Sequence, residues 1–192
     1  MLAEIENLIA SYDVQNGKLE GGQASERRLS DLSGFFADTT AFNAALQQED
    51  SLLYKVEALA PASGSGDLHY GLGTLYPGKV GDEYFLTKGH YHEAREMAEV
   101  YIGFGGDGYM LLEDEQSGES RLVPLGAKRI VYVPGYTAHR TINTGSEPLV
   151  YLGVYPAHAG HDYGSIAERN FKKVLVEQDG KPVLLEREDY LK

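Results

Sequence analysis

From Leu52 onward the sequence breaks into short runs, none long enough for a helix of ordinary length. "LLYKVEAL", "LHYGLGTLY", "DEYFLT", "AEVYIGF", "GYMLLED", "RIVYVP", "HRTINT" and "PLVYLGVY" follow one another, and "PASGSGD", "PGKVGD", "GGDG" and "NTGSEP" interrupt them. β-Branched and aromatic residues fit a pleated, half-buried surface, while Gly, Pro and Asp supply the turns. Many short strands at regular spacing, with little helical pattern between them, predict an all-β chain: an antiparallel sandwich or jelly-roll barrel. The tail "VLVEQDGKPVLLE" reads as one more hairpin, turning at Asp179-Gly180.

The first fifty residues have a different texture. Residues 1–10 suit a short amphipathic helix, and "VQNGKLEGG" at 14–22 a turn built on Asn-Gly. "SERRLSDLSGFF" and "DTTAFNAALQQED" read as helices, with Asp38 or Thr39 available to cap the second. The expectation is one domain with a partly helical N-terminal arm over 1–50 and a β-barrel over 51–192. A chain of 192 residues is long enough to bury a real core.

Charge narrows the partners. A net charge of −12 disfavours nucleic acid and anionic membranes, both of which need clustered Lys and Arg. It leaves room for a small phosphate ligand, which a few backbone N–H groups and hydroxyls can hold. The apolar runs are too short to span a bilayer, and "MLAEIENLIASYD" lacks the basic leader of a secretory signal, so a cytoplasmic protein is expected. With no cysteine, any metal must be held by nitrogen and oxygen.

Such a site is written into "TKGHYHEAREMAEVY", residues 87–101. Residues two apart on a strand share a face, so His90 and His92 project together and Tyr91 points away. Glu99 opens the next strand and shares its face with Tyr101. A fourth ligand must come from a strand distant in sequence, and His139, just after the Pro-Gly of "YVPGYTAHRTIN", is the candidate. Three imidazoles and one carboxylate can hold Fe, Mn, Ni, Zn or Co with positions left open for a substrate. His69 and His158 lack such company and read as surface or supporting residues.

His-x-His, then Glu99, then Gly106, followed later by "PGYTAHRTIN", resembles the two motifs of the cupin superfamily. Two departures from the common pattern, the seven-residue step from His92 to Glu99 and Tyr84 in place of a glycine, are shared by one branch. "RRLSDLSGFF", "LYPGKVGDEYFLTKGHYH", "AEVY", "VYVPGYTAHRTIN" and "VYPAHAGHDYGSIAERNF" together resemble the cupin-type, or archaeal-type, glucose-6-phosphate isomerases over about residues 27–175. The resemblance implies a cupin double-stranded β-helix with one divalent metal per subunit on His90, His92, Glu99 and His139. Fe2+ stands first, with Mn2+, Ni2+, Zn2+ or Co2+ as alternatives. It implies sugar and phosphate contacts on Tyr54, Thr87, Gly89, Tyr101, Tyr155, His161 and Tyr163, with a sugar phosphate as substrate and a homodimer as the assembly. A threonine frequent in the family's strand before "LYPG" is replaced here by Gly73, with Thr74 beside it.

The chemistry is self-consistent. Aldose–ketose isomerisation needs a base near two adjacent carbons and an electrophile for the oxyanion. A divalent metal serves as the electrophile and Glu99 is the nearest base, with His139 the other catalytic candidate. A carboxylate on a cation is a weak base, so either Glu99 swings off the metal or the hydrogen moves as a hydride. Three rivals use the same residues: a cupin oxygenase, a different sugar-phosphate isomerase, and a non-catalytic sugar-binding cupin.

Overall fold

Asn16-Gly17 turns the chain back on itself at once, as the sequence predicts, with Gly17 in the left-handed region at φ +55°. It joins β1 (Tyr12–Asp13) to β2 (Lys18–Leu19). The computed structural model describes residues 9–191, so nearly all of the helix expected at 1–10 lies outside the described residues. Ser25–Arg28, read from sequence as helical, is instead the end of strand β3 (Gln23–Arg28). Leu29–Leu32 then makes a single 3-10 turn, which puts Leu29 and Leu32 on one side, both buried. Tertiary packing overrides helical propensity here: β3 gains a ladder on the sheet edge, and its charged residues suit that exposed position. Helix α1 (Thr39–Gln48) does form, and the Asp38 carboxylate caps it by accepting from the backbone N–H of Ala41 at 2.8 Å.

β4 (Leu52–Leu59) and β5 (Leu68–Leu75) follow, then the short β6 (Lys79–Val80) and β7 (Glu83–Tyr84). "DEYFLT" is thus a strand for two residues only. After Phe85 the chain bends away. Next come β8 (Glu99–Gly105), β9 (Asp107–Asp114), β10 (Ser120–Gly126), β11 (Ile130–Val133), β12 (Thr137–Asn143) and β13 (Leu149–Pro156). A six-residue helix, α2 (Gly164–Arg169), leads into the expected hairpin of β14 (Lys173–Gln178) and β15 (Lys181–Glu186). β10 carries Pro124, which has no N–H to give to a ladder. It is accommodated because β10 is the outer strand of its sheet, where one ladder donor can be spared.

The strands build a six-stranded sheet, β11-β8-β13-β5-β4-β3, against smaller sheets β10-β9-β12 and β15-β14-β7-β6, with every pairing antiparallel. Residues 86–91 run beside β12 through isolated bridges, Leu86 to Ile142 and His90 to His139. One continuous core joins the arm to the barrel: Leu29, Leu32, Phe36 and Phe42 share it with Met110, Leu125, Ile142 and Phe171. Among the described residues, no helix is long and apolar enough to cross a membrane.

Candidate active site

The bridge between His90 and His139 closes the gap that sequence distance leaves open. Each residue's N–H donates to the other's carbonyl, at 3.2 Å and 3.1 Å, so two histidines from separate motifs become direct neighbours across the bridge. Their ring centroids are 4.3 Å apart, and His92 lies 5.7 Å from His90. Glu99, first residue of β8, completes the group: one ligand atom from each of His90, His92, Glu99 and His139 lies within 4.8 Å of the others. An ion bonding N and O at about 2.0–2.2 Å asks for only small adjustments of such a set.

The donor chemistry fits a cation. His92 Nδ1 donates to the Met97 carbonyl at 2.9 Å and His139 Nδ1 to the Thr137 carbonyl at 3.2 Å. In each neutral ring the Nε2 lone pair is then what faces Glu99 Oε2, at 3.2 Å and 3.1 Å. His90 Nε2 is buried with no hydrogen-bond partner. Several acceptors converge on one point with nothing to accept, and the four residues could hold a metal there. Electrostatics agree. Burial alone would push the Glu99 carboxyl up, but Nε2–H donation from His139 and His92 in their protonated form outweighs it and holds the group well below its ordinary range, so a positive charge is favoured at that point. Burial also lowers His90, reinforced by the neighbouring His139, which keeps the His90 ring a lone-pair donor.

Tyr54, Thr87, Gly89, Tyr101, Tyr155, His161 and Tyr163 all line the cavity that His90 and Glu99 face. Gly89 has no substitute: its φ is +73°, and a Cβ would come within 2.9 Å of Phe171, Arg140 and the His139 carbonyl. Burial raises Tyr101 well above an ordinary phenol, helped by the negative charge of neighbouring Glu99, and raises Tyr54 to about 12. Both remain neutral donors at pH 7. His161 stacks on Tyr163, and its ring is 4.6 Å from that of His90. The loop carrying them is tied back by Asp162, which accepts from Arg95 at 2.5 Å and from the Ser165 hydroxyl at 2.6 Å, while Arg95 also donates to the His92 carbonyl.

The family model described as glucose-6-phosphate isomerase (GPI) matches residues 26–191. The chain belongs to the cupin-type glucose-6-phosphate isomerases. A glucose-6-phosphate isomerase of Pyrococcus horikoshii is 47% identical over 92% of this chain and 93% of its own length. That of Thermococcus litoralis is 48% identical over 90% of both, and a Sinorhizobium medicae isomerase 42% identical over 88% of this chain and 79% of its own. Among solved structures, an oxalate oxidase matches with TM-score 0.50 at 12% identity, over 59% of this chain and 56% of that one, a likeness of fold alone. The chain is therefore an isomerase on a cupin barrel.

His69 lies outside the ligand group, its Nε2 bonded to the Ala62 carbonyl at 2.8 Å, and His158 is exposed. Lys88 carries its ammonium over the Phe35 ring, 5.6 Å from the centroid. Tyr151 and Gly153 are among the cavity residues that escaped the sequence reading although a signal for them existed. On β13, Tyr151 and Gly153 share the face of Tyr155 by the two-residue period of a strand, and both line the cavity.

Gly153 gives Glu99 its clearance, since a Cβ there would stand 2.8 Å from Glu99 Oε1. The Gly153→Ala variant is expected to fold normally, with kcat lowered roughly 10- to 100-fold by displacement of the carboxylate. Steady-state kinetics alongside a thermal melt check this, and unchanged kcat would mean the carboxylate tolerates the shift.

Proposed function

We propose that this isomerase interconverts glucose 6-phosphate and fructose 6-phosphate, using one divalent metal held by His90, His92, Glu99 and His139. Fe2+ stands first, and Mn2+, Ni2+, Zn2+ or Co2+ suit the same donors. The observation that carries the reading is the division of labour within Glu99. Its Oε2 lies toward His92 and His139, whereas Oε1 lies on the cavity side beside Gly153.

When bound, the ion supplies Lewis-acid stabilisation of the negative charge developing on the sugar oxygens. The remaining work falls to the chain. Glu99 takes the proton from one of two adjacent carbons and returns it to the other, which a carboxylate can do with the oxygen left free of the ligand cluster. Tyr101, beside Glu99 on the same strand face and lining the same cavity, keeps that carboxylate oriented. At the other end Tyr54, Thr87, Tyr155, His161 and Tyr163 offer neutral donors, and Gly89 permits close backbone approach, for the phosphate and the sugar hydroxyls. The same reading expects a homodimer working in the cytoplasm.

The test is a coupled assay converting fructose 6-phosphate to glucose 6-phosphate, on protein stripped with EDTA and then reloaded with each metal in turn. Activity lost with EDTA and restored by a divalent ion supports the reading. An inactive but fully metallated protein would overturn it in favour of a binding module or an oxygenase, which oxygen consumption would reveal.

A further inference from the structure

Tyr151 stands directly opposite Gly73 of β5 in the ladder. A Cβ on Gly73 would fall 2.5 Å from two ring carbons of Tyr151 and 2.8 Å from its hydroxyl oxygen. The phenol therefore lies across the glycine, in space that any larger residue at 73 would claim. The ring is buried, yet it forms part of the cavity wall together with Thr87 and Glu99.

Its hydroxyl heads a chain. The Tyr151 oxygen is 3.0 Å from Thr141 Oγ1, and Thr141 Oγ1 donates to Thr87 Oγ1 at 3.3 Å. Thr87 Oγ1 also accepts from the Thr141 backbone N–H at 3.1 Å. A hydroxyl carries one proton. Thr141 gives its own to Thr87, so the proton between Tyr151 and Thr141 must come from the phenol. Thr87 then receives two donors from the wall behind it, and its own proton is left to face the cavity. The phenol is the most acidic of the three hydroxyls, and successive hydrogen bonds in one direction polarise one another. Such a chain presents an aimed donor at its open end, which is what an anionic oxygen requires.

We propose that Tyr151 is a positioning residue for the phosphate of the substrate, acting through Thr141 to aim the Thr87 proton into the cavity, and that Gly73 is the space this arrangement requires. The proposal rests on the sugar-phosphate reading above. The test is a double-mutant cycle in the full-length, metal-loaded protein: Tyr151→Phe, Thr87→Val and both together. It reads the KM for fructose 6-phosphate, kcat, and the Kd of inorganic phosphate by calorimetry. Phenylalanine keeps the ring and thus the packing, which a thermal melt verifies.

Tyr151→Phe is expected to raise KM and the phosphate Kd together, about three- to tenfold, with kcat within about twofold of wild type. Thr87→Val should weaken phosphate more, and the double variant no further than Thr87→Val alone, because residues acting in series are not additive. Unchanged KM and Kd in Tyr151→Phe would overturn the proposal, as would effects that multiply in the double variant or a loss confined to kcat. Phosphate binding is read independently of turnover. Wild-type protein without isomerase activity would therefore sink the functional reading, while the phosphate cycle still decides the hydroxyl chain.

Discussion

Alanine at His139 is expected to abolish metal binding and to lower kcat/KM by roughly 10²–10³-fold or more, the scale on which loss of charge stabilisation is felt. The barrel should survive. The two hydrogen bonds that join residues 90 and 139 are made by backbone atoms, and alanine keeps both. What disappears is the imidazole that faces Glu99 Oε2 at 3.1 Å, leaving the buried carboxylate with His92 as its remaining histidine contact. Leaving a buried charge short of a polar partner costs about 1–3 kcal/mol, so a lower melting temperature with a cooperative transition is the expected trace. His158→Ala is the control, since that side chain is exposed and should change neither metal content nor rate by more than about twofold. Metal analysis, a melt and the coupled assay on both variants suffice. A His139→Ala protein that retains stoichiometric metal would remove this residue from the ligand set.

Much of this site is readable in the linear sequence, for a physical reason. Period two in extended backbone puts His90 with His92, and in strand β8 Glu99 with Tyr101, and the turn at Pro134-Gly135 sets where the strand bearing His139 begins. The same rule extends to Tyr151 and Gly153, whose place follows once Tyr155 is assigned to the cavity. Other features depend on contacts that no local pattern carries. "SERRLSDLSGFF" contains good helix formers, yet an open edge on β4 and a core with room for Leu29 and Leu32 made it a strand and a 3-10 turn. "DEYFLT" alternates like a strand but leaves its ladder at Phe85, because residues 86–91 must cross to β12 for His90 to meet His139. The tie from Arg95 to Asp162 spans 67 positions and could be found only in three dimensions.

Glutamine at Glu99 is expected to be still more damaging, and for two separable reasons. A carboxylate offers acceptors only, so the two facing Nε2 lone pairs of His92 and His139 leave room for a cation between them. An amide can turn its NH2 toward those lone pairs and satisfy them, which removes the need for the ion. Metal affinity should therefore fall even though size and shape are preserved. The second loss is the base itself. With metal forced on by excess, kcat should remain about 10²–10⁴-fold below wild type, the usual contribution of a positioned general base. Glu99→Asp separates the two: it keeps the charge, and so the metal, but draws the carboxylate back by one methylene from the cavity. Metal-loaded Glu99→Asp should thus be well populated and slow. Isomerisation run in heavy water supplies the independent arm, since a proton carried by Glu99 can exchange with solvent and leave deuterium in the product. Near-normal kcat in metal-saturated Glu99→Gln, together with unlabelled product from the wild type, would transfer the hydrogen's path from the carboxylate to a direct shift between the two carbons.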